Sequence, residues 1–416
     1  MRTVLFIALR HLVSRRRQTA VAVAGMAISV IVLVAMTGLM MGFQTKFFGE
    51  TLKVSPHLTV TDEELEPPEP VAARHLGPRS VTALLHQRPA ERPQRIKRPN
   101  TVVRAALRLP GVVAGAQQLV GQAILAYAER TYPVEIRGIE PELQDRVTPI
   151  RGYVTAGRFE TLATSLDGIM LGSGVAQKLG VTVGDRITAA GPRGTRVSLK
   201  VAAIFEAGIP PVDKTRAFVQ LRAAQSILSR PDEVNAIGFR VADTEQAPEL
   251  ARVIGAVSGY RAESWQEQNA NWIGLFAFQQ LITRMVIGFL LVVAAFGILN
   301  ILIMIVLEKK RDIAILRSIG LTRSQILRVF LLQGALMGLA GALLGCLLGA
   351  VVVWAVQRIP VKFEGLVKTD HVVMYIEPWF YAAASAFAVG AGLIASILPA
   401  RRGAATEPVD VLRGQA

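Results

Sequence analysis

The chain has 416 residues, 51% of them hydrophobic, and a mean hydropathy of +0.40, which is more apolar than most soluble domains. The formal net charge is +15, yet no aromatic–basic motif, zinc spacing or helix-turn-helix pattern accompanies it, so nucleic acid is excluded as its reason. The single cysteine, Cys346, rules out a disulfide framework or a cysteine metal cluster and reads as a small packing residue.

Residues 1–18 form a basic start that ends in Arg15, Arg16 and Arg17. A first apolar run, 19–43, follows. Crossing a bilayer takes roughly 20 apolar residues. This run is too long for the apolar part of a cleaved signal peptide and has no clear small-x-small cleavage site, so it reads as an anchor. The helix is expected to continue through "QTKFFGETLK", which places Phe43, Phe47 and Phe48 near the outer interface. Two readings stand for these rings: an aromatic belt at the interface, or a hydrophobic lip for an apolar cargo.

Residues 44–284 are long enough for one or two folded domains. The segment opens with strand "SPHLTV", helix "TVVRAALRLPGV" and strand "QAILAYA"; it closes with strand "NAIGFRVAD", helix "APELARVIGAV" and strand "YRAES". Two such strand-helix-strand units can build one ferredoxin-like sheet with helices on one face. The middle, 133–230, alternates short β-branched runs with Gly and Asp and reads as β-rich. Gly174, Gly180 and Gly184 are expected at its turns. The insertion 62–99 is acidic, then rich in Arg and Pro, a composition that cannot bury a core and is expected to be mobile. It reads as a solvated spacer or as a segment touching anionic headgroups.

The second apolar run covers 285–307, with a helical pattern that begins near Trp272. From Trp272 to Leu307 such a helix would be about 54 Å long against a hydrocarbon core of about 30 Å, leaving a stalk outside. Then comes "LEKKRDIAILRSIGLT". Glu308, Lys309, Lys310, Arg311 and Asp312 are followed by a short apolar stretch in which Ile313, Leu316 and Ile319 are expected on one side of a two-turn helix, with Ile315 adding width. Gly320 is placed to terminate it. Thr322 and Gln325 match a capping box, so a new helix begins near Arg323. The stretch 308–325 reads as an interfacial helix on lipid headgroups or as a docking knob for a partner.

The third run, 326–356, carries Gly334, Gly338, Gly341, Gly345 and Gly349 on one stripe, where another helix can approach closely, within the chain or across a dimer. Asn300 and Gln333 are expected to make interhelical hydrogen bonds rather than line a transport path. A loop, 357–378, a fourth run, 379–400, and a basic tail, 401–416, complete the chain. Lys and Arg near the span ends put both termini and the 308–325 loop on the cytoplasmic side and residues 44–284 outside. The fold class is thus an α+β membrane protein: four transmembrane helices with a large extracytoplasmic α/β domain between the first and second.

No catalytic centre is nominated. The five histidines, His11, His57, His75, His86 and His371, lack metal-ligand spacing, and G-x-S-x-G, H-E-x-x-H and G-x-x-x-x-G-K-[ST] are all absent. Without a P-loop the chain cannot hydrolyse ATP by that mechanism alone.

The stretch "LEKKRDIAILRSIGLTRSQILRVFLLQGALMGLAGALLG" resembles the core of the FtsX-like, or MacB-type, ABC transporter permeases, and most closely their lipoprotein-releasing LolC and LolE branch. "MGFQTKFFGETLKVSPHLTV", "LGSGVAQKLGVTVGDRIT" and "LPARRGAATEPVDVLRG" extend the resemblance through most of the chain; the 62–99 insertion departs from it. The resemblance implies a permease subunit of the bacterial inner membrane, not itself an enzyme, with a periplasmic domain and no cofactor of its own. It implies a partner ABC ATPase that uses ATP and Mg, a second permease copy or paralogue, a lipoprotein cargo and a periplasmic carrier. Carried over, the ATPase-coupling segment is Glu308 to Gly320, with Glu308, Lys309, Lys310, Arg311, Asp312, Ile313, Ile315, Leu316, Arg317 and Gly320 as its residues. Two other roles stay open: a mechanotransmission permease for efflux of drugs, peptides or toxins, and a non-transporting relay to a cell-wall hydrolase.

Overall fold

The computed structural model describes residues 2–64, 95–364 and 368–405. In chain order the elements are α1 (Arg2–Ser14), α2 (Arg16–Val54), β1 (Leu58–Glu64), α3 (Pro99–Ala106), β2 (Val112–Tyr127), β3 (Arg130–Ile139), β4 (Val154–Gly157) and β5 (Gly168–Gly172). They continue with β6 (Arg186–Ala190), β7 (Arg196–Phe205), β8 (Arg216–Gln220), β9 (Ala236–Val241), α4 (Ala247–Ser258), β10 (Tyr260–Ser264), α5 (Ala270–Glu308), α6 (Lys310–Ser318), α7 (Arg323–Gln357) and α8 (Pro378–Ala405); short helical turns lie between. Two compact units result. One takes the described residues up to Lys46, Gly274 to Lys362, and those from Thr369 onward; the other takes the described residues from Phe47 to Ile273 and from Phe363 to Lys368.

The first unit is a helix bundle. α2, α5, α7 and α8 are each long and apolar enough to cross a membrane. α2 and α5 have 39 residues apiece, about 58 Å, which exceeds a hydrocarbon core of about 30 Å. α5 begins at Ala270, two residues before the expected Trp272, so its polar Gln279, Gln280 and Arg284 are helical. Gln280 donates to the Oε1 of Gln44 on α2 at 3.0 Å, and Ser29 Oγ of α2 donates to the carbonyl of Leu290 on α5 at 3.2 Å.

Lipid offers apolar side chains no reason to leave it, so helices associate where backbones can come close. The glycine stripe of α7 does this for two neighbours within the chain. Gly334 and Gly338 face Gly392 and Ala388 of α8; a Cβ on either Gly334 or Gly392 would strike the carbonyl oxygen of the other. Gly341, Gly345 and Gly349 face Met26, Val30 and Val34 of α2. Gly38 and Gly42 of α2 repeat the device against the segment before α8: Tyr375 N–H donates to the Gly38 carbonyl at 2.9 Å, and Val373 and Met374 occupy the space a Cβ at Gly42 would need. Gln333 is fully buried and meets His11 of α1, whereas Asn300 is exposed on α5 and, among the described residues, lacks the interhelical bond expected of it.

The second unit is built on one sheet, in the order β10-β1-β9-β2-β3-β8-β5-β7-β4, with β6 bridging β2 and β7. The strand-helix-strand pairs interleave: β1, α3 and β2 come from the first, β9, α4 and β10 from the second, and their strands alternate as β10-β1-β9-β2. Leu58, Val60, Val102, Ile237, Phe239 and Ile254 share the core beneath them. The β-rich middle adds β3 to β8 around Leu125, Ile136, Ile169, Leu199 and Val219.

Four sequence expectations change here. The helix expected over "TVVRAALRLPGV" stops at Ala106, because Pro110 lacks an N–H and Gly111 takes φ +93°. β2 then starts at Val112, ten residues before "QAILAYA". Its Ala, Gly and Gln residues have weak strand preference, but pairing with β9 on one edge and β3 on the other holds them extended. Gly174 is not at a turn: it lies in the helix Ser173–Leu179, pressed against Asp213 and Lys214, while Gly180 and Gly184 do turn the chain, at φ +73° and +102°. Finally, both ends of the 62–99 insertion are ordered. Asp62 and Glu63 belong to β1, and Ile96 is buried with its N–H on the Val234 carbonyl at 2.8 Å. Its central part, 65–94, lies outside the described residues, as does the tail beyond Ala405.

Candidate functional site

The segment from Glu308 to Gly320 is a short helix with both ends closed. α5 ends at Glu308, Lys309 turns the chain at φ −93°, ψ 11°, and α6 begins at Lys310. At the far end Gly320 adopts φ +110°, a conformation that costs a side-chain-bearing residue strain. Its N–H donates to the Arg317 carbonyl and that of Leu321 to the Leu316 carbonyl, each at 3.1 Å, which satisfies two of the orphan carbonyls of the helix end. α7 then starts with a reciprocal capping box: Thr322 N–H donates to Gln325 Oε1 at 2.9 Å and Gln325 N–H to Thr322 Oγ1 at 3.3 Å. Without this stop and start, α6 and α7 would be free to run together as one helix.

The expectation that Ile313, Leu316 and Ile319 share one side is corrected. At 100° per residue, Ile319 lies about 120° around the helix from Ile313, whereas Ile315 and Ile319 are only about 40° apart. Ile313 is accordingly 1% exposed, in the bundle's apolar core with Leu12, Leu302, Ile305, Ile326 and Phe330. Ala314 is buried beside it and Leu316 is half-buried. Ile315 and Ile319, 42% and 74% exposed, form the outward apolar face, bordered by exposed Arg311 and Asp312. The helix therefore has a root in the core and an apolar tip outside it.

Charges tie the root down. Glu308 pairs with Arg15, and Lys309 Nζ donates to Asp312 Oδ2 at 2.7 Å. α1, which ends just before Arg15, has a part that the sequence reading missed. Ala8 and Leu12 are buried, and His11 Nδ1 lies 3.2 Å from Gln333 Nε2. Burial, helped by nearby Lys309, pushes the His11 imidazole below its ordinary value, so its neutral form is favoured. The available signal was the spacing of Ala8 and Leu12, four residues apart on one helix face; it identifies a buried face but not what covers it.

The three phenylalanines of the suggested lip pack on other rings. Phe43 meets Phe276 edge-on at 5.9 Å, Phe47 meets Phe48 and Trp272 at 5.3 and 5.5 Å, and Phe48 meets Trp265 at 5.5 Å. Phe47 is buried. These edge-to-face and tilted contacts suit aromatic packing. Among the described residues no group of His, Cys, Asp and Glu is arranged to hold a metal ion.

Residues 284–408 match the family model of the FtsX-like permease C-terminal part, and residues 19–257 match that of the MacB-like periplasmic core domain. The lipoprotein-releasing system transmembrane protein LolC of Neisseria meningitidis is 26% identical to the chain, over 98% of each. The LolC of Xylella fastidiosa is 27% identical over the same shares. The LolE of Haemophilus influenzae is 28% identical, over 70% of this chain and 74% of its own.

Proposed function

This chain belongs to the FtsX-like permeases that carry a MacB-like periplasmic core domain, and we propose that it is the membrane subunit of an inner-membrane ABC transporter that releases lipoproteins. The observation that carries this reading is the match to proteins named for lipoprotein release over 98% of both chains, which includes the domain as well as the spans. Both termini and α6 then lie on the cytoplasmic side, with the sheet domain in the periplasm. The strand order β10-β1-β9-β2, with α3 and α4 sharing one core, supports reading its first part as ferredoxin-like.

Drawing an acyl chain out of a bilayer costs about 0.8 kcal/mol per CH₂. A cargo with several chains needs an outside energy source, and the chain has no P-loop to supply one. In this reading a separate ATPase docks on α6. The partner touches Ile315 and Ile319, its stroke reaches the bundle through Ile313, and α5 carries the motion toward the domain.

Two experiments test this. In proteoliposomes, the chain with its ATPase and a periplasmic carrier should release a labelled lipoprotein only when ATP is present; ATP-independent release, or none, removes the cargo assignment. Changing Ile315 and Ile319 together to Asp should abolish ATPase co-purification and ATP-dependent release while thermal unfolding stays unchanged, because both side chains are exposed. Retention of coupling would remove α6 as the docking element. Ile313→Asp cannot serve here, since it places a charge in the core.

A further inference from the structure

α1 carries more apolar surface than its packing in the bundle uses. Ala8 and Leu12 are buried and His11 is half-buried; at 100° per residue the three fall within about 100° of the helix circumference. Leu5, Phe6, Leu9 and Val13 fill the next arc, also about 100° wide, and they are 44%, 61%, 45% and 55% exposed. Exposed Arg10 lies about 40° beyond Phe6, at the border of that arc. A helix between its own bundle and water needs one apolar face, and α1 has two.

With 13 residues α1 is about 20 Å long, too short for a hydrocarbon core of about 30 Å. Its neighbours fix its level along the bundle. The chain breaks at Arg15 between α1 and α2, where Thr19 Oγ1 donates to the Leu12 carbonyl at 3.1 Å and Ser14 Oγ to the His11 carbonyl at 2.8 Å. Arg15 pairs with Glu308, the last residue of α5, and His11 lies beside Gln333, about three turns into α7. α1 thus lies level with the ends of two membrane-crossing helices, and exposed apolar surface resumes at Val21 in the first turns of α2. The charge around it is of one sign. Arg2, Arg10, Arg15, Arg16 and Arg17 stand in the first 17 residues, and no acid precedes Glu50. Glu308 engages only Arg15 of these, and the sequence beyond Ala405 adds Arg413 to its Glu407 and Asp410, too little to cancel the rest.

We propose that α1 is a membrane-surface anchor. Leu5, Phe6, Leu9 and Val13 enter the lipid of the leaflet at which α5 ends, and Arg10, Arg16 and Arg17 meet its anionic headgroups. An apolar arc bordered by cations is the pattern of a helix lying in the interface, and each basic residue near an anionic surface adds to the attraction. The anchor has a mechanical consequence. Leu12 shares one apolar core with Ile313, and Arg15 holds Glu308, so α1 links the leaflet to the root of α6. The proposal stands on membrane insertion alone and does not depend on the identity of the cargo or the ATPase.

The test uses the full chain with Cys346→Ala, reconstituted without other proteins in phosphatidylglycerol or phosphatidylcholine bilayers, with a nitroxide on one introduced cysteine. By oxygen and neutral nickel-chelate accessibility, the label at Leu9→Cys should lie about 5–10 Å below the headgroups, and that at Ser14→Cys should be open to nickel. Phe6→Glu with Val13→Glu should lift the Leu9 label into water at an unchanged unfolding temperature, because both side chains are exposed. Nickel access at Leu9 should be lower in phosphatidylglycerol than in phosphatidylcholine, and Arg10→Gln with Arg16→Gln and Arg17→Gln should remove that difference. Equal nickel access at Leu9 and Ser14 overturns the proposal without reference to any other variant. So does a Leu9 label that stays buried in the double Glu variant, or dipolar broadening between Leu9 labels, which assigns the arc to a second copy. Equal access in the two lipids before any arginine is changed overturns the role of anionic headgroups.

Discussion

In the helix bundle many large apolar side chains face outward and glycines line the closest helix contacts, beside a core that also holds Met26 and Phe330; in the sheet domain the large apolar side chains are gathered in the core. Phe289, Val293 and Ile394 are about 70% exposed on the bundle, at 73%, 69% and 71%, while Gly334, Gly341 and Gly345 are buried in its interior. In the domain Phe239 and Phe159 are among the largest fully buried side chains. The difference follows from the solvent. Water drives apolar surface inward at roughly 25 cal/mol per Å². Hydrocarbon exerts no such force, so contact between helices depends on how close their backbones come. A large apolar side chain is therefore found both outside and inside the bundle, and hydropathy alone cannot identify the core of the bundle.

The sharpest break of this comparison is to remove one large side chain from each unit. Phe239→Ala should destabilise the domain by about 3–5 kcal/mol, seen as a lower unfolding temperature of the full chain in detergent. Phe289→Ala should change stability by no more than about 0.5 kcal/mol. A similar loss at both sites would show that bundle exposure does not report lipid contact. Next in size is addition of volume: Gly345→Leu drives a side chain into Val30 and the Ala27 carbonyl and should cost about 3 kcal/mol. The same change at Gly288, which has open space around it, should be close to neutral.

The smallest effect concerns charge in the domain. Burial by itself would raise the Glu135 carboxyl, but Arg137 and Arg216 outweigh it and hold the group below its ordinary value of 4.5. A depressed acid stabilises the fold above its unfolded value and loses that contribution as pH falls through the folded one. Glu135→Gln should therefore cost about 2 kcal/mol near pH 7, and the gap between variant and wild type should close below pH 4.5. A gap that persists in acid would assign the effect to packing. Arg216, half-buried beside Glu135 and Arg137, is lowered to about 9 mainly by desolvation, and only the Glu135 carboxylate pulls against the shift.

The legible features are those whose cause lies within a few residues. The capping box at Thr322 and Gln325, the stop at Gly320 and the glycine spacing along α7 are local patterns with local physics, and each is present as read. The outward face of α6 was within reach of the same reasoning, since angular arithmetic separates Ile313 from Ile319. Other features were out of reach. Nothing around Gly38 and Gly42 announces that the segment before α8 will lie on them. Nothing in "GVVAGAQQLVG" names the two neighbours that keep β2 extended, and nothing near His11 names Gln333, 322 residues away.

The sequence by itself determined the four spans, the isolated short helix between the second and third, and the absence of a P-loop, because segment length, helix termini and motif spacing are local properties. Only the tertiary structure decided which residues of that short helix are anchored and which are available. It also decided that one glycine stripe serves two helices, and that Leu5, Phe6, Leu9 and Val13 stay outside the packing of α1, because those facts depend on contacts between segments far apart in the chain.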